Sequence, residues 1–209
     1  MLTVHHLNNS RSQRILWLLE ELETPYEIKR YERDPHTHRA PAELKTIHPL
    51  GKSPVVEDGD NIVAETGAII VYILDKYGKG RLRPKTGTSE YVEYVHFLHF
   101  AEGSAMLPIL LALYTGFLGD AAEPLTPLIM AEMKNILDYC EYQLIRNEYF
   151  AGENLTGADI QMIFPLEAAR ARGRLNGYDA CNEYVDKIWK RPAYLKALEK
   201  GGDYAYGPK

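Results

Sequence analysis

Apolar positions in the first eighty residues switch back and forth between the period of a strand and that of a helix. Leu2 and Val4 open an alternating segment that reads as a strand. A polar loop over residues 6–10 follows, and a helical spacing then takes over at Ile15, Leu16, Leu18, Leu19 and Leu22, halted by Thr24-Pro25. Residues 26–31 alternate again, so the chain opens strand, helix, strand, a crossover that makes the two strands parallel. Pro41 begins a short helix ending near Ile47. Val55-Val56, the turn residues Asp58-Gly59-Asp60 and Ile62-Val63-Ala64 spell a hairpin. Helical spacing returns after Glu65-Thr66, at Ile69, Ile70, Ile73, Leu74 and Tyr77.

The resulting order, β-α-β-α-β-β-α, is that of a thioredoxin-like domain, expected over residues 1–80. A glycine-rich basic stretch supplies a linker at 81–88, and residues 89–209 read as an all-helical domain, giving an α/β plus all-α fold with a C-terminal helical bundle. Tyr91, Val95, Leu98, Met106, Ile109, Leu110, Leu113 and Phe117 predict one long helix, kinked at Pro108, with Gly103 permitting close backbone approach. Ile129, Met133, Leu137, Cys140 and Leu144 mark the stripe of an amphipathic helix, which makes Cys140 a packed thiol. Thr156 and Asp159 have capping-box spacing and Leu155 and Ile160 that of a hydrophobic staple, so a helix should begin at Gly157. Two helices over 184–190 and 192–200 close the chain, and the tail 201–209 has no predictable path.

Composition narrows the function. With 209 residues, 45% hydrophobic and 25% charged, the chain reads as globular, and a net charge of -5 argues against nucleic-acid or anionic-membrane partners. Residues 1–6 read as a strand and not as a leader, and the uncharged run 105–118 is too short to span a bilayer and reads as a buried helix. Two cysteines are too few for a disulfide framework, which fits a reducing, cytoplasmic setting. The histidines show no metal-ligand spacing, so no metal is expected, and no phosphate-binding glycine motif occurs. No cysteine precedes position 140, so the thioredoxin-like domain has no CxxC pair of its own. A thiol used there must arrive on a ligand.

Pro54 stands at the entrance of a strand, where a missing N–H does least harm, and a cis bond is plausible there. Ser53 can offer its backbone N–H and C=O to an extended peptide. Glu65 and Thr66 lie at a helix start, where exposed N–H groups and partial positive charge can hold a small zwitterion. Each also has a plain structural reading: Thr66 as a cap, Glu65 as a dipole-favourable charge, Pro54 as a strand-edge residue.

Together, GKSPVVEDGDNIVAETGAIIVYI resembles the glutathione-binding half of the cytosolic glutathione S-transferases, and the capped helix at Gly157 extends the resemblance across most of the chain. The resemblance implies that Ser53, shaped by Pro54, pairs with the cysteinyl backbone of glutathione and that Glu65 and Thr66 hold its γ-glutamyl end. It assigns the thiol-activating role to Ser10 in SRSQR, with Asn9 in reserve, although Ser10 or Ser12 could simply cap the following helix. Lys52 and His38 become candidates for the glycyl carboxylate. Glu102 becomes a candidate for the ligand ammonium across a homodimer, and Met106, Tyr114 and Phe117 for a second-substrate pocket. The implied activity is conjugation of glutathione, a co-substrate with no further cofactor, to a small hydrophobic electrophile. Glutathione-dependent disulfide or peroxide reduction and a non-catalytic binding module remain alternatives.

Overall fold

The computed structural model describes residues 1–37 and 39–208. Strand β1 (Leu2–Leu7) lies between β2 (Glu27–Tyr31), which is parallel to it, and β3 (Val55–Asp58), which is antiparallel. β4 (Asn61–Ala64) pairs with β3, giving the sheet order β2-β1-β3-β4. β1 runs three residues beyond Val4, with His6 and Leu7 in register with Arg30 and Tyr31. The loop expected from residue 6 is therefore shorter than the sequence suggested. Pairing across two ladders outweighs the polar character of His5 and His6, both of which are buried.

Helix α1 (Ser12–Glu21) carries five consecutive buried apolar residues, Ile15 to Leu19, because several elements cover it. It packs against β1, against α3 (Thr66–Tyr77), and against α9 (Pro192–Gly201). Trp17 meets Tyr194 edge-on at 5.6 Å, Arg191 donates to Glu21 at 2.6 and 3.0 Å, and Lys196 pairs with Glu20 at 2.7 Å. The last helix and the tail thus group with the thioredoxin-like part. The chain forms two compact units, Met1–Arg83 with Ile188–Lys209, and Pro84–Lys187. The short α2 (Leu44–Ile47) buries Leu44 against Leu7 and Tyr31. Asp58 at the hairpin turn accepts from Lys76, Tyr72 and Tyr77 of α3 at 2.6, 2.8 and 2.5 Å. Burial pushes this carboxyl up, but the Lys76 ammonium and the two tyrosine hydroxyls outweigh it and hold it at about 2.

The second unit contains α4 (Ser89–Phe100), α5 (Met106–Thr115), α6 (Thr126–Arg146), α7 (Gly157–Arg170) and most of α8 (Asp179–Trp189). α7 starts at Gly157 with the expected capping box, and every residue from Gly157 to Ala169 is buried. Asp159 collects four donors: the N–H groups of Phe150 and Thr156 and the hydroxyls of Thr156 and Tyr184, at 2.8 to 3.1 Å. Phe150 joins Phe97 and Tyr184 in an aromatic core, with centroids at 4.8 and 5.2 Å. Cys140 is buried on the α6 stripe, and burial pushes its thiol up to about 12, which suits packing and not nucleophilic work.

Two expectations for the long helix need adjusting. The change in helical hydrogen bonding does not fall at Pro108 itself, which lies inside α5. It lies upstream, in a π-helical turn over Ala101–Ala105, where the N–H of Met106 reaches the carbonyl of Ala101. A proline ring presses on the carbonyl four residues back, here Ser104, and the widened turn absorbs that crowding before the proline is reached. A second break falls at Gly119, whose φ of 54° suits glycine. Nor is the run 105–118 a buried helix: of α5 only Met106, Pro108 and Ile109 are buried, while Leu107, Tyr114, Phe117 and Leu118 are exposed. By length and composition the helical stretch Ser89–Ala122 could cross a membrane.

Candidate active site

The carboxyl end of β1 is where the candidate residues converge, as expected for ligand loops in a sheet with a βαβ crossover. The amide of Leu7 lies 3.2 Å from both Ser12 Oγ and Ser53 Oγ, and Ser53 Oγ also donates to the His5 carbonyl at 2.8 Å. One amide thereby ties the Ser53-Pro54 turn to the loop before α1. The Ser53-Pro54 bond is cis. Because the Ser53 side chain is spent on β1, only its backbone groups are offered outward, which is the role peptide pairing requires.

Ser10 is buried, with 6% of its surface exposed, and its Oγ lies 2.7 Å from Ser12 Oγ. It also accepts the N–H of Ser12 at 3.2 Å, so part of the capping reading holds for Ser10. The reading of Ser12 as a cap does not hold. Arg11 occupies the cap position without a side-chain bond, and Ser12 Oγ turns inward to His6 Nδ1 at 2.8 Å. Burial holds His6 down at about 4, against the Gly201 carbonyl bond that raises it and with Arg30 lowering it further. At neutral pH the ring is neutral.

At the other edge, α3 begins at Thr66, with Glu65 in the cap position at φ 67° and ψ 119°. A non-glycine residue held there stores backbone strain, a frequent mark of ligand sites. Glu65 is exposed and its carboxylate does not cap the helix, whereas its carbonyl starts it by accepting from Ile69 N–H at 2.8 Å. Thr66 is buried, and its hydroxyl accepts from Arg14 of α1 at 2.6 Å. A guanidinium behind a hydroxyl polarises it as a donor toward an anion. Nothing local marks Arg14 as a site residue; its partner lies 52 residues away.

The remaining candidates divide. Lys52 is exposed beside Ser53. His38 lies outside the described residues. Asn9, the reserve for Ser10, has φ at 50° and accepts the N–H of Ala205 on its side-chain oxygen at 2.6 Å and a bond from Arg33 on its carbonyl at 3.1 Å, which orients its side-chain amide. The tail, for which the sequence predicts no path, lies against this loop. Together with Leu198 it borders an open groove beside Asn9. In the helical unit, Glu102 sits half-buried in the π-turn. Met106 is packed in the core at 2% exposure, while Tyr114 and Phe117 stand out at 60% and 79%. Met106 is thus packed as a core residue and offers almost no surface to a pocket. Among the described residues no cluster of three or more His, Cys, Asp or Glu is placed to hold a metal. Ser12 and His6 were missed as site residues, since nothing local distinguishes them from a cap and a strand residue.

A thioredoxin-like fold without its own cysteines, joined to a helical unit and bearing an acid and a hydroxyl at the start of α3, defines a protein that handles a thiol brought by a ligand. Residues 1–75 match the family model of the glutathione S-transferase N-terminal domain, and residues 105–192 that of the C-terminal domain. Glutathione S-transferase 3 of Schizosaccharomyces pombe is 37% identical over 97% of this chain and 89% of its own length. Glutathione S-transferase 1 of Saccharomyces cerevisiae is 32% identical over 96% of this chain and 95% of its own. A crystal structure of a glutathione S-transferase from Actinobacillus pleuropneumoniae, 37% identical, superposes with a TM-score of 0.89 over 100% of both chains. The chain belongs to the glutathione S-transferase family and is a glutathione transferase.

Proposed function

We propose that the protein binds glutathione along the carboxyl end of β1 and the start of α3 and conjugates it, through its thiolate sulfur, to small hydrophobic electrophiles. The observation that carries this reading is the buried Ser10 hydroxyl with the Ser12 N–H behind it, tied by the Leu7 amide to the Ser53-Pro54 turn. In the proposal Ser53 pairs through its backbone with the cysteinyl residue. Thr66 and the α3 N–H groups hold the γ-glutamyl carboxylate, Glu65 its ammonium, and Lys52 the glycyl carboxylate. Ser10 donates to the thiolate, and no proton passes to serine. The three exposed groups, Tyr114, Phe117 and Leu118, support an apolar second substrate on the helical unit.

We further propose that the enzyme works as a homodimer in which Glu102 reaches the partner's ligand. Tyr94, Phe97 and Leu98 of α4 are all buried within one copy and so offer no pairing surface. Exposed Val92, Leu107 and Leu111 support the pairing instead. The function is tested by calorimetric titration with glutathione, followed by turnover against an aryl halide, a hydroperoxide and a glutathionylated disulfide. Binding with turnover of the aryl halide supports conjugation. Turnover only of the peroxide or disulfide makes it a reductase, and absence of binding refutes the site.

A further inference from the structure

Four buried groups form an unbroken chain: Ser10 Oγ lies 2.7 Å from Ser12 Oγ, Ser12 Oγ 2.8 Å from His6 Nδ1, and His6 Nε2 3.1 Å from the Gly201 carbonyl. Hydrogen positions along it follow from valence alone. A carbonyl only accepts, so the neutral ring carries its proton on Nε2 and Nδ1 is an acceptor. Nδ1 therefore takes the Ser12 proton. Giving that proton to the Leu7 carbonyl, 3.1 Å away, would leave the ring nitrogen buried without a donor. Ser12 Oγ in turn accepts from Ser10, and Ser10 Oγ accepts from the Ser12 N–H at 3.2 Å. In the resting protein the Ser10 proton points inward, away from any ligand.

Two oxygens 2.7 Å apart need one proton between them. If Ser10 turns its proton to a sulfur anion, the Ser12 proton must swing from His6 to Ser10, and Nδ1 of a buried neutral imidazole loses its donor. We propose that His6 is a positioning residue that holds the Ser10–Ser12 pair in the inward orientation, so that stabilising a thiolate at Ser10 requires reversal of this chain against His6. The Gly201 carbonyl enforces it by fixing the tautomer, which links the C-terminal segment to the thiol site. This inference rests on the proposed role of Ser10 and deepens it: the site's thiol acidity is set in part by a residue that never touches the ligand.

The test is an ultraviolet thiolate titration of bound glutathione in the wild type, His6→Phe, Ser12→Ala, Ser10→Ala and the His6→Phe/Ser10→Ala double variant. Removing the Nδ1 acceptor, or the inner acceptor at Ser12, frees the Ser10 proton. His6→Phe and Ser12→Ala should each therefore lower the bound thiol pKa by about one unit, a tenfold gain in thiolate below the pKa. Affinity for the protonated form of glutathione, measured at a pH below the bound thiol pKa, should change less than about twofold, and His6→Phe should add nothing once Ser10 is alanine. Nitrogen NMR of the wild type should show Nδ1 losing its hydrogen bond when the thiolate forms, a readout that stands even where a variant fails to fold. A bound thiol pKa unchanged or raised in a folded His6→Phe or Ser12→Ala protein, or an Nδ1 resonance indifferent to thiolate formation, overturns the inference. If those results come with a raised pKa in Ser10→Ala, the inference alone falls. A Ser10→Ala protein that titrates like wild type removes the role of Ser10 and this inference with it.

Discussion

Glu65 combines a strained backbone with an exposed carboxylate that performs no capping, so its local cost is matched by no local gain. If that carboxylate holds the ligand ammonium, Glu65→Ala should weaken glutathione binding by about 1.5–3 kcal/mol. Thermal stability should change little, because a helix-start acid contributes only about 0.3–1 kcal/mol. Calorimetry on the folded variant checks both, and unchanged affinity would place the ammonium elsewhere. Asp58 gives a stability prediction of the opposite kind. Its folded carboxyl sits near 2 against an ordinary 3.8, so the native state favours the ionised form. The stability it contributes is present above the ordinary value and is lost as pH falls through 3.8 toward 2. Asp58→Asn should therefore be less stable at neutral pH and show a flatter acid limb in that window, measured by urea unfolding across pH. A parallel offset at all pH values would contradict the assignment. At this scale the sequence singles out Glu65, Thr66 and Ser10 as candidates through their places in a recognisable pattern. It could not reveal that Ser12 faces His6, or that Arg14 finds Thr66, because those contacts depend on how α1 sits against the sheet.

Elements were legible in proportion to how local their determinants are. Thr156 and Asp159 are three residues apart and make their capping box as read, so α7 starts where the spacing placed it. Thr156→Ala should lower stability by roughly 0.5–2 kcal/mol, the ordinary cost of a lost cap. Chemical denaturation at neutral pH measures it. A loss below about 0.3 kcal/mol would show that packing, and not the cap, holds the helix start. The long helix was less legible. Its apolar spacing continues through Pro108, yet the break falls at Ala101–Ala105, because a proline's clash lies with the carbonyl four residues upstream. The apolar residues of α5 were read as core from hydrophobicity alone, whereas burial depends on neighbours that the sequence does not specify.

For the whole molecule, the β-α-β-α-β-β-α order of the first unit was readable because each crossover and hairpin has its own signal. The return of α9 and the tail to α1 was not readable. It rests on contacts such as Arg191–Glu21 and Gly201–His6, separated by 170 and 195 residues. Light scattering at micromolar concentration should give twice the 23.8 kDa chain mass, and a monomer there would refute the proposed pairing. The most direct test of the account remains the thiol itself. A free thiol has a pKa of about 8.5, and a drop of two units corresponds to about 2.7 kcal/mol, within reach of one charge-assisted hydrogen bond and a helix terminus. In an ultraviolet thiolate titration, glutathione bound to the wild type should ionise well below its free value. Ser10→Ala should raise that pKa and cut turnover roughly ten- to a hundredfold near neutral pH, with affinity much less affected. A Ser10→Ala complex with the same thiol pKa and turnover as the wild type would contradict it.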